Sequence, residues 1–113
     1  MKSAMLPVKP GTFKKFYIAN ILFIRARGKE SDVYKTNGER VVLNCVLHKI
    51  ERELNSKDFF NINTGCLINM QHISEYKLTG KLQIKLTDQT VIHVPDYKRK
   101  EFQKMMQKKF PHL

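Results

Sequence analysis

The sequence predicts a mainly β fold with two short helices. Three observations carry this. Asn37-Gly38 stands between two runs rich in β-branched residues, a strong short-range hairpin signal. Leu82, Ile84 and Leu86 alternate with Gln83, Lys85 and Thr87, the period-two pattern of a half-buried strand. Apolar side chains fall at helical spacing in two places, near residues 46–54 and 102–110.

In chain order, residues 1–12 contain Pro7, Pro10 and Gly11 and read as an irregular or extended lead-in. This leaves 13–113 as a single domain. FYIANILFIRAR reads as a strand, a short break near Ala19-Asn20, and a second strand to about Ala26. In that second strand Ile21, Phe23 and Arg25 share one face, and Leu22, Ile24 and Ala26 the other. RGKES, residues 27–31, is a polar loop. DVYKTNGERVVLN then forms a hairpin, with Asn37-Gly38 as a type I′ turn because both residues tolerate positive φ. Asn44 is placed to cap a helix from about 45 to 54, with Val46, Leu47, Ile50 and Leu54 on its buried face. Asn55-Ser56 ends that helix.

FFNINTGCLIN, residues 59–69, has the shape of a strand entering a tight polar loop and leaving it. Gly65 supplies a positive φ, and Asn69 bridges or caps a buried turn through its amide. HISEYKL and LQIKLTD form a further hairpin around Thr79-Gly80, and Asp88-Gln89 turns the chain into the strand TVIHV. Pro95 stops that strand, having no N–H for a ladder. Asp96 then caps a closing helix over about 97–109, with Phe102, Met105, Met106 and Phe110 as its apolar stripe. The sum is seven or eight short strands and two helices.

The net charge of +11 on 113 residues narrows the function. Residues 1–27 carry six basic and no acidic side chains, and residues 96–113 carry six basic and two acidic. The middle of the chain is close to neutral. A field of this sign fits a polyanion, either nucleic acid or an anionic membrane surface. Cys45 and Cys66 form no CxxC pair and are expected as free, partly buried thiols. The four histidines lie at no ligand spacing, so neither metal nor cofactor is expected. No Gly-rich phosphate loop and no local catalytic signature occurs, so an enzyme is not expected. With no run of 18 apolar residues and no secretory h-region, a soluble cytoplasmic protein without a membrane partner is expected.

The order of these elements resembles the LytTR family, the DNA-binding domain of many bacterial response regulators, from about Phe16 to Phe110. ANILFIRARG is similar to the family's opening strand, D-I-x-Y-I-E-A. DVYKTNGERVVLNCVLHKIEREL is similar to the segment ending in L-x-x-L-E-x-x-L. FFNINTGCLINMQHI is similar to F-x-R-x-H-R-S-x-L-V-N-x-x-x-I, with Leu67, Ile68, Asn69 and Ile73 in register. LQIKLTDQTVIHVPDYKRKEF is similar to L-x-D-G-x-x-L-x-V-S-R-R-x-x-x-x-L. The resemblance implies an elongated arrangement of small antiparallel sheets, whose loops enter successive major grooves of double-stranded DNA at direct-repeat sites. It also implies a regulator of transcription.

The departures from the pattern are as informative as the matches. No charged side chain lies between Phe59 and Asn69. Asn61, Asn63, Thr64 and Gly65 stand where the family has Arg, His, Arg or Asn, and Ser, and Pro95-Asp96 stands for Ser-Arg. Two readings follow. Either the domain reads DNA with altered contacts, or it has lost base reading and serves as an interaction module for another regulator. In the first, Asn63 pairs with adenine and Thr64 meets a thymine methyl, and Asn61 and Tyr97 are further DNA contacts. Lys29, Lys98, Arg99 and Lys100 then meet phosphates. Three cations opening a helix oppose its dipole, which itself points to an external anion. An RNA-binding β-domain is a weaker third reading, because the aromatics are needed for the core. No receiver sequence is present, so control is expected through expression, partner binding or homodimerisation.

Overall fold

The computed structural model describes residues 1–54, 57–62 and 65–111. The chain forms two compact units, residues 1–71 and residues 72–113. The fold is mainly β with two helices and small antiparallel sheets, as the sequence predicts.

The first unit opens with a hairpin. Strand β1 (Ser3–Lys9) pairs antiparallel with β2 (Thr12–Tyr17). Residues 3–9 are therefore a paired strand, the extended alternative for the lead-in and not the irregular one. Pro7 is tolerated beside a bulge between Pro7 and Lys9, where the ladder is already broken. Its carbonyl accepts from Asn44 N (2.9 Å). Leu6 is fully buried and packs with Phe16 in the core of the unit.

A single 3-10 turn, Ile18–Asn20, makes the expected break. Five strands follow in one sheet: β3 (Ile21–Arg27), β4 (Glu30–Lys35), β5 (Arg40–Leu43), β6 (Phe59–Asn61) and β7 (Cys66–Asn69). Their order is β5-β4-β3-β7-β6. A bulge between Ile21 and Phe23 alters the expected alternation. The extra residue, Leu22, puts Ile21 and Ile24 into the same core cluster with Val33, Leu43 and Leu67. Phe23 and Arg25 take the opposite face. Helix α1 (Leu47–Leu54) packs on the core through Ile50, Leu47 and Leu54.

Three local expectations are corrected by hydrogen bonding. RGKES is not a polar loop over all of 27–31: Arg27 pairs with Glu30, and Gly28 (φ +64°) and Lys29 alone turn the chain. Asn37-Gly38 is not a type I′ turn. Gly38 N donates to Lys35 O (3.0 Å), so Thr36-Asn37 are the central residues and Gly38 alone takes positive φ (+87°). Helix α1 begins two residues late, with Val46 O accepting from Lys49 N (3.2 Å) and Ile50 N (3.4 Å). The main chain before it is held elsewhere, since Cys45 O accepts from the buried Ser31 hydroxyl (2.8 Å). The expected end of that helix, Asn55-Ser56, lies outside the described residues.

The second unit contains β8 (Ile73–Lys77), β9 (Gln83–Leu86) and β10 (Val91–His93), in the order β10-β9-β8. Ten strands are thus present among the described residues, against the seven or eight expected. The β9–β10 turn repeats the geometry of the β4–β5 turn. Gln89 N donates to Leu86 O (2.9 Å), and Thr90 N donates to the Asp88 carboxylate (3.0 Å), as Glu39 N does to the Asn37 side chain (2.9 Å). Here the left-handed residue is Gln89 (φ +78°), the one non-glycine residue at positive φ among those described. A 3-10 turn, Asp96–Lys98, leads into α2 (Arg99–Lys109). The cap position of α2 is Lys98, not Asp96, and it makes no side-chain cap bond; Pro95 O accepts from Lys98 N (2.9 Å) and winds the tighter turn first. Phe102 is fully buried against Tyr76, ring edge to face, at 5.2 Å.

Candidate nucleic-acid interface

Strand register gathers two loops at one end of the five-stranded sheet. Arg25 lies opposite Cys66, and Ala26 N donates to Gly65 O (2.7 Å). The Gly28-Lys29 turn therefore sits beside the loop that joins β6 to β7. Lys29 is exposed at its tip. Gly65 has the expected positive φ (+78°), and a Cβ there would stand 3.2 Å from Ala26 Cβ, so the close approach also selects glycine. Asn61 is half-buried, and its Nδ2 donates to Glu51 Oε1 of α1 (3.1 Å). Asn63 and Thr64 lie outside the described residues.

Asn69 closes the other end of β7. It is fully buried. Its Nδ2 donates to Ile18 O (3.0 Å) and Ile21 O (2.8 Å), and its Oδ1 accepts from Gln71 N (3.0 Å). One amide thus joins the β2–β3 turn to β7, the bridging role its sequence position suggested.

The sheet face opposite α1 carries three arginines that composition alone does not single out. Phe23 and Tyr34 stack with centroids 4.4 Å apart, and the Arg25 guanidinium lies 5.4 Å above the Phe23 ring. Asp32, almost fully buried, accepts from Arg27 Nε (2.9 Å) and Nη2 (3.1 Å), with Arg40 Nη1 at 4.0 Å. The hydrogen bonds and charge of Arg27 hold the Asp32 carboxyl below its usual range, against the cost of its burial. Burial pushes the Cys66 thiol up to about 11, although Arg25 beside it opposes the shift. Both cysteines are free. The period-two placement of Arg25 and Arg27 was the available sequence signal, and the pairing of β3 with β4 and β5 supplies the rest.

In the second unit the Lys98–Lys100 run is less available than its sequence suggests. Lys98 Nζ donates to Glu101 (2.8 Å) and Arg99 Nη1 donates to Gly80 O (2.8 Å). Glu101 offsets the charge of Lys98, and the Gly80 carbonyl engages Arg99 without neutralising it. Lys100 is exposed, as is Tyr97 at 68%. A surface hollow of about 230 Å³ on the three-stranded sheet is lined by none of the sequence-predicted site residues, and Lys85 and Glu75 on its wall form an ion pair at 3.6 Å. No group of metal-ligating side chains, and no helix long and apolar enough to cross a membrane, occurs among the described residues.

A family model, the LytTr DNA-binding domain, matches residues 12–107, from the start of β2 to the last turn of α2. The chain belongs to the LytTR DNA-binding family. DNA binding and the regulation of transcription are the general work of LytTR domains. No curated protein matches the chain. Among solved structures, the chain is similar to one assigned as the LytTr DNA-binding domain of a methyl-accepting/DNA response regulator from Bacillus cereus. The TM-score is 0.75 with 13% identity, over 94% of this chain and 97% of that one. At that identity the likeness concerns the fold.

Within the LytTR frame the departures become physical. The hallmark loop contributes an amide, Asn61, that is already bonded to Glu51. The acidic Asp96 is exposed in the turn before α2. The D-G of the LytTR ending is Asp88-Gln89 here, and Gln89 retains the left-handed backbone that glycine would adopt freely.

Proposed function

We propose that the chain binds double-stranded DNA sequence-specifically and acts as a small bacterial transcription regulator, with residues 13–113 working as one DNA-binding domain. The observation that carries this reading is the juxtaposition of the Lys29 turn and the β6–β7 loop at one end of the sheet. Two neighbouring loops on a rigid antiparallel frame suit entry into a major groove, which presents a distinct donor and acceptor pattern for each base pair. Asn61, Asn63 and Thr64 read bases from that loop, while Lys29, Tyr97, Lys98, Arg99 and Lys100 hold the backbone. Direct-repeat sites, occupied by two copies of the chain, are the expected targets. The work is binding without catalysis or cofactor, in the cytoplasm.

A second reading has its own support. Asn61, Lys98 and Arg99 are engaged by groups within the protein, and Asp96 would repel phosphate. These contacts favour a LytTR-like interaction module that pairs with another regulator and no longer reads bases.

Fluorescence anisotropy separates the two. The purified chain is titrated against a random 30-base-pair duplex, a single-stranded control and a short RNA hairpin, across a salt series. DNA binding predicts duplex affinity that falls steeply and linearly with log salt. No duplex binding at low salt would sink the DNA reading and turn the search to a protein partner.

A further inference from the structure

We propose that Arg25 is a DNA-phosphate contact at the mouth of the uncharged loop, supplying from the neighbouring strand the cation that the loop lacks. This rests on the DNA-binding reading above and assigns it a residue outside the loop and the α2 run.

Arg25 lies opposite Cys66, the first residue of β7, and its neighbour Ala26 is hydrogen bonded to Gly65. No residue of the hallmark stretch from Phe59 to Asn69 is charged, and Arg25, on the strand paired with its second half, is a cation next to it.

Charge balance also singles out Arg25. Of the three arginines on this face, Arg27 is held by Asp32 and Glu30, and Arg40 lies 4.0 Å from Asp32. Arg25 is exposed and has no carboxylate within ion-pair distance among the described residues. Its charge is therefore the one on this face left for an external anion.

The guanidinium rests over Phe23, which is itself stacked on Tyr34. A cation held against an aromatic face loses less freedom on binding than a free side chain. Its planar fork matches two phosphate oxygens. Because it stands on the strand and not at the loop tip, the sugar–phosphate backbone is the part of the duplex it meets.

The test measures duplex affinity against salt for the wild type, Arg25→Gln and Arg25→Lys, with thermal melts of all three. Arg25 is exposed, so both variants are expected to melt near the wild type. Arg25→Gln is expected to lower the log–log salt slope by about one unit, and to weaken all duplex sequences alike. Arg25→Lys is expected to restore the slope, because it keeps the charge. An unchanged slope in Arg25→Gln, with the wild type still binding, would overturn the Arg25 assignment and leave the DNA reading intact. A slope that Arg25→Lys fails to restore would make the role structural and overturn it equally. Loss of preference at a single base position would overturn the phosphate assignment. Absence of wild-type duplex binding would overturn both proposals together.

Discussion

Gln89 is the residue whose backbone disagrees most with its side chain. It holds φ +78° in a turn that the same chain builds elsewhere with Gly38. A left-handed conformation costs a non-glycine residue about 1–2 kcal/mol, and glycine returns about 0.5–1 kcal/mol of that in unfolded-state entropy. Gln89→Gly is therefore expected to stabilise the protein by about 0.5–1 kcal/mol in urea unfolding; a loss of stability would show that the Gln89 side chain contributes contacts that outweigh the strain. Asp32 sets a second expectation. Its folded pKa lies below the ordinary carboxylate value, so its ion pair contributes fully above about pH 4 and fades as pH falls through the folded value. Wild type and Asp32→Asn should differ in stability at neutral pH and converge in acid. Parallel curves down to pH 2 would reject the Arg27–Asp32 pair as the cause.

At the scale of elements, β1 was the least legible part. Pro7 and Pro10 are breakers to a reader of sequence, and only the bulge and the Asn44–Pro7 bond reveal how a strand accommodates them. The pairing matters, because Leu6 is fully buried in the same cluster as Phe16, Ile18 and Ile21. Leu6→Ala is expected to cost about 2–5 kcal/mol, measured as a lowered urea midpoint at unchanged slope. A cost under about 0.5 kcal/mol, the scale of surface changes, would mean that β1 is not part of the cooperative core. Hairpins, by contrast, were legible from glycine placement and alternation, since Gly38, Gly65 and Gly80 all take positive φ. Turn type was not legible, because it depends on which carbonyl Gly38 N finds. Helix starts were misplaced by two residues for a similar reason. The Ser31 hydroxyl on β4 and the Pro95 carbonyl decide where α1 and α2 begin, and neither shows in a local capping pattern.

At the scale of the molecule, both units are basic. Residues 1–71 carry twelve basic and six acidic side chains, and residues 72–113 carry nine and four. Each unit by itself carries a field of the sign that suits a polyanion. Yet the candidate contacts differ in how freely they can join it. Lys98 is bonded to Glu101, whereas Lys100 is exposed. Lys100→Gln is expected to reduce the salt slope of duplex binding by about one unit, and Lys98→Gln by less. Equal reductions would show that the Lys98–Glu101 pair opens on binding. The sequence named these lysines but could not rank them, since ranking needs the positions of Glu101 and Gly80.

Asn69 has a consequence for the order in which the first unit assembles. Its carboxamide bonds two carbonyls 51 and 48 residues earlier in the chain. Neither carbonyl is in reach until β3 and β7 have paired, and until then the amide keeps water as its partner. The side chain therefore acts as a late lock, worth little to a half-formed sheet and much to a finished one. Gln71 N, which donates to that same side chain, reports on the lock. Its deuterium uptake is expected to proceed only through global opening, with a free energy equal to that of unfolding. Faster uptake at Gln71 than at the central β3 amides would mean that the lock opens locally.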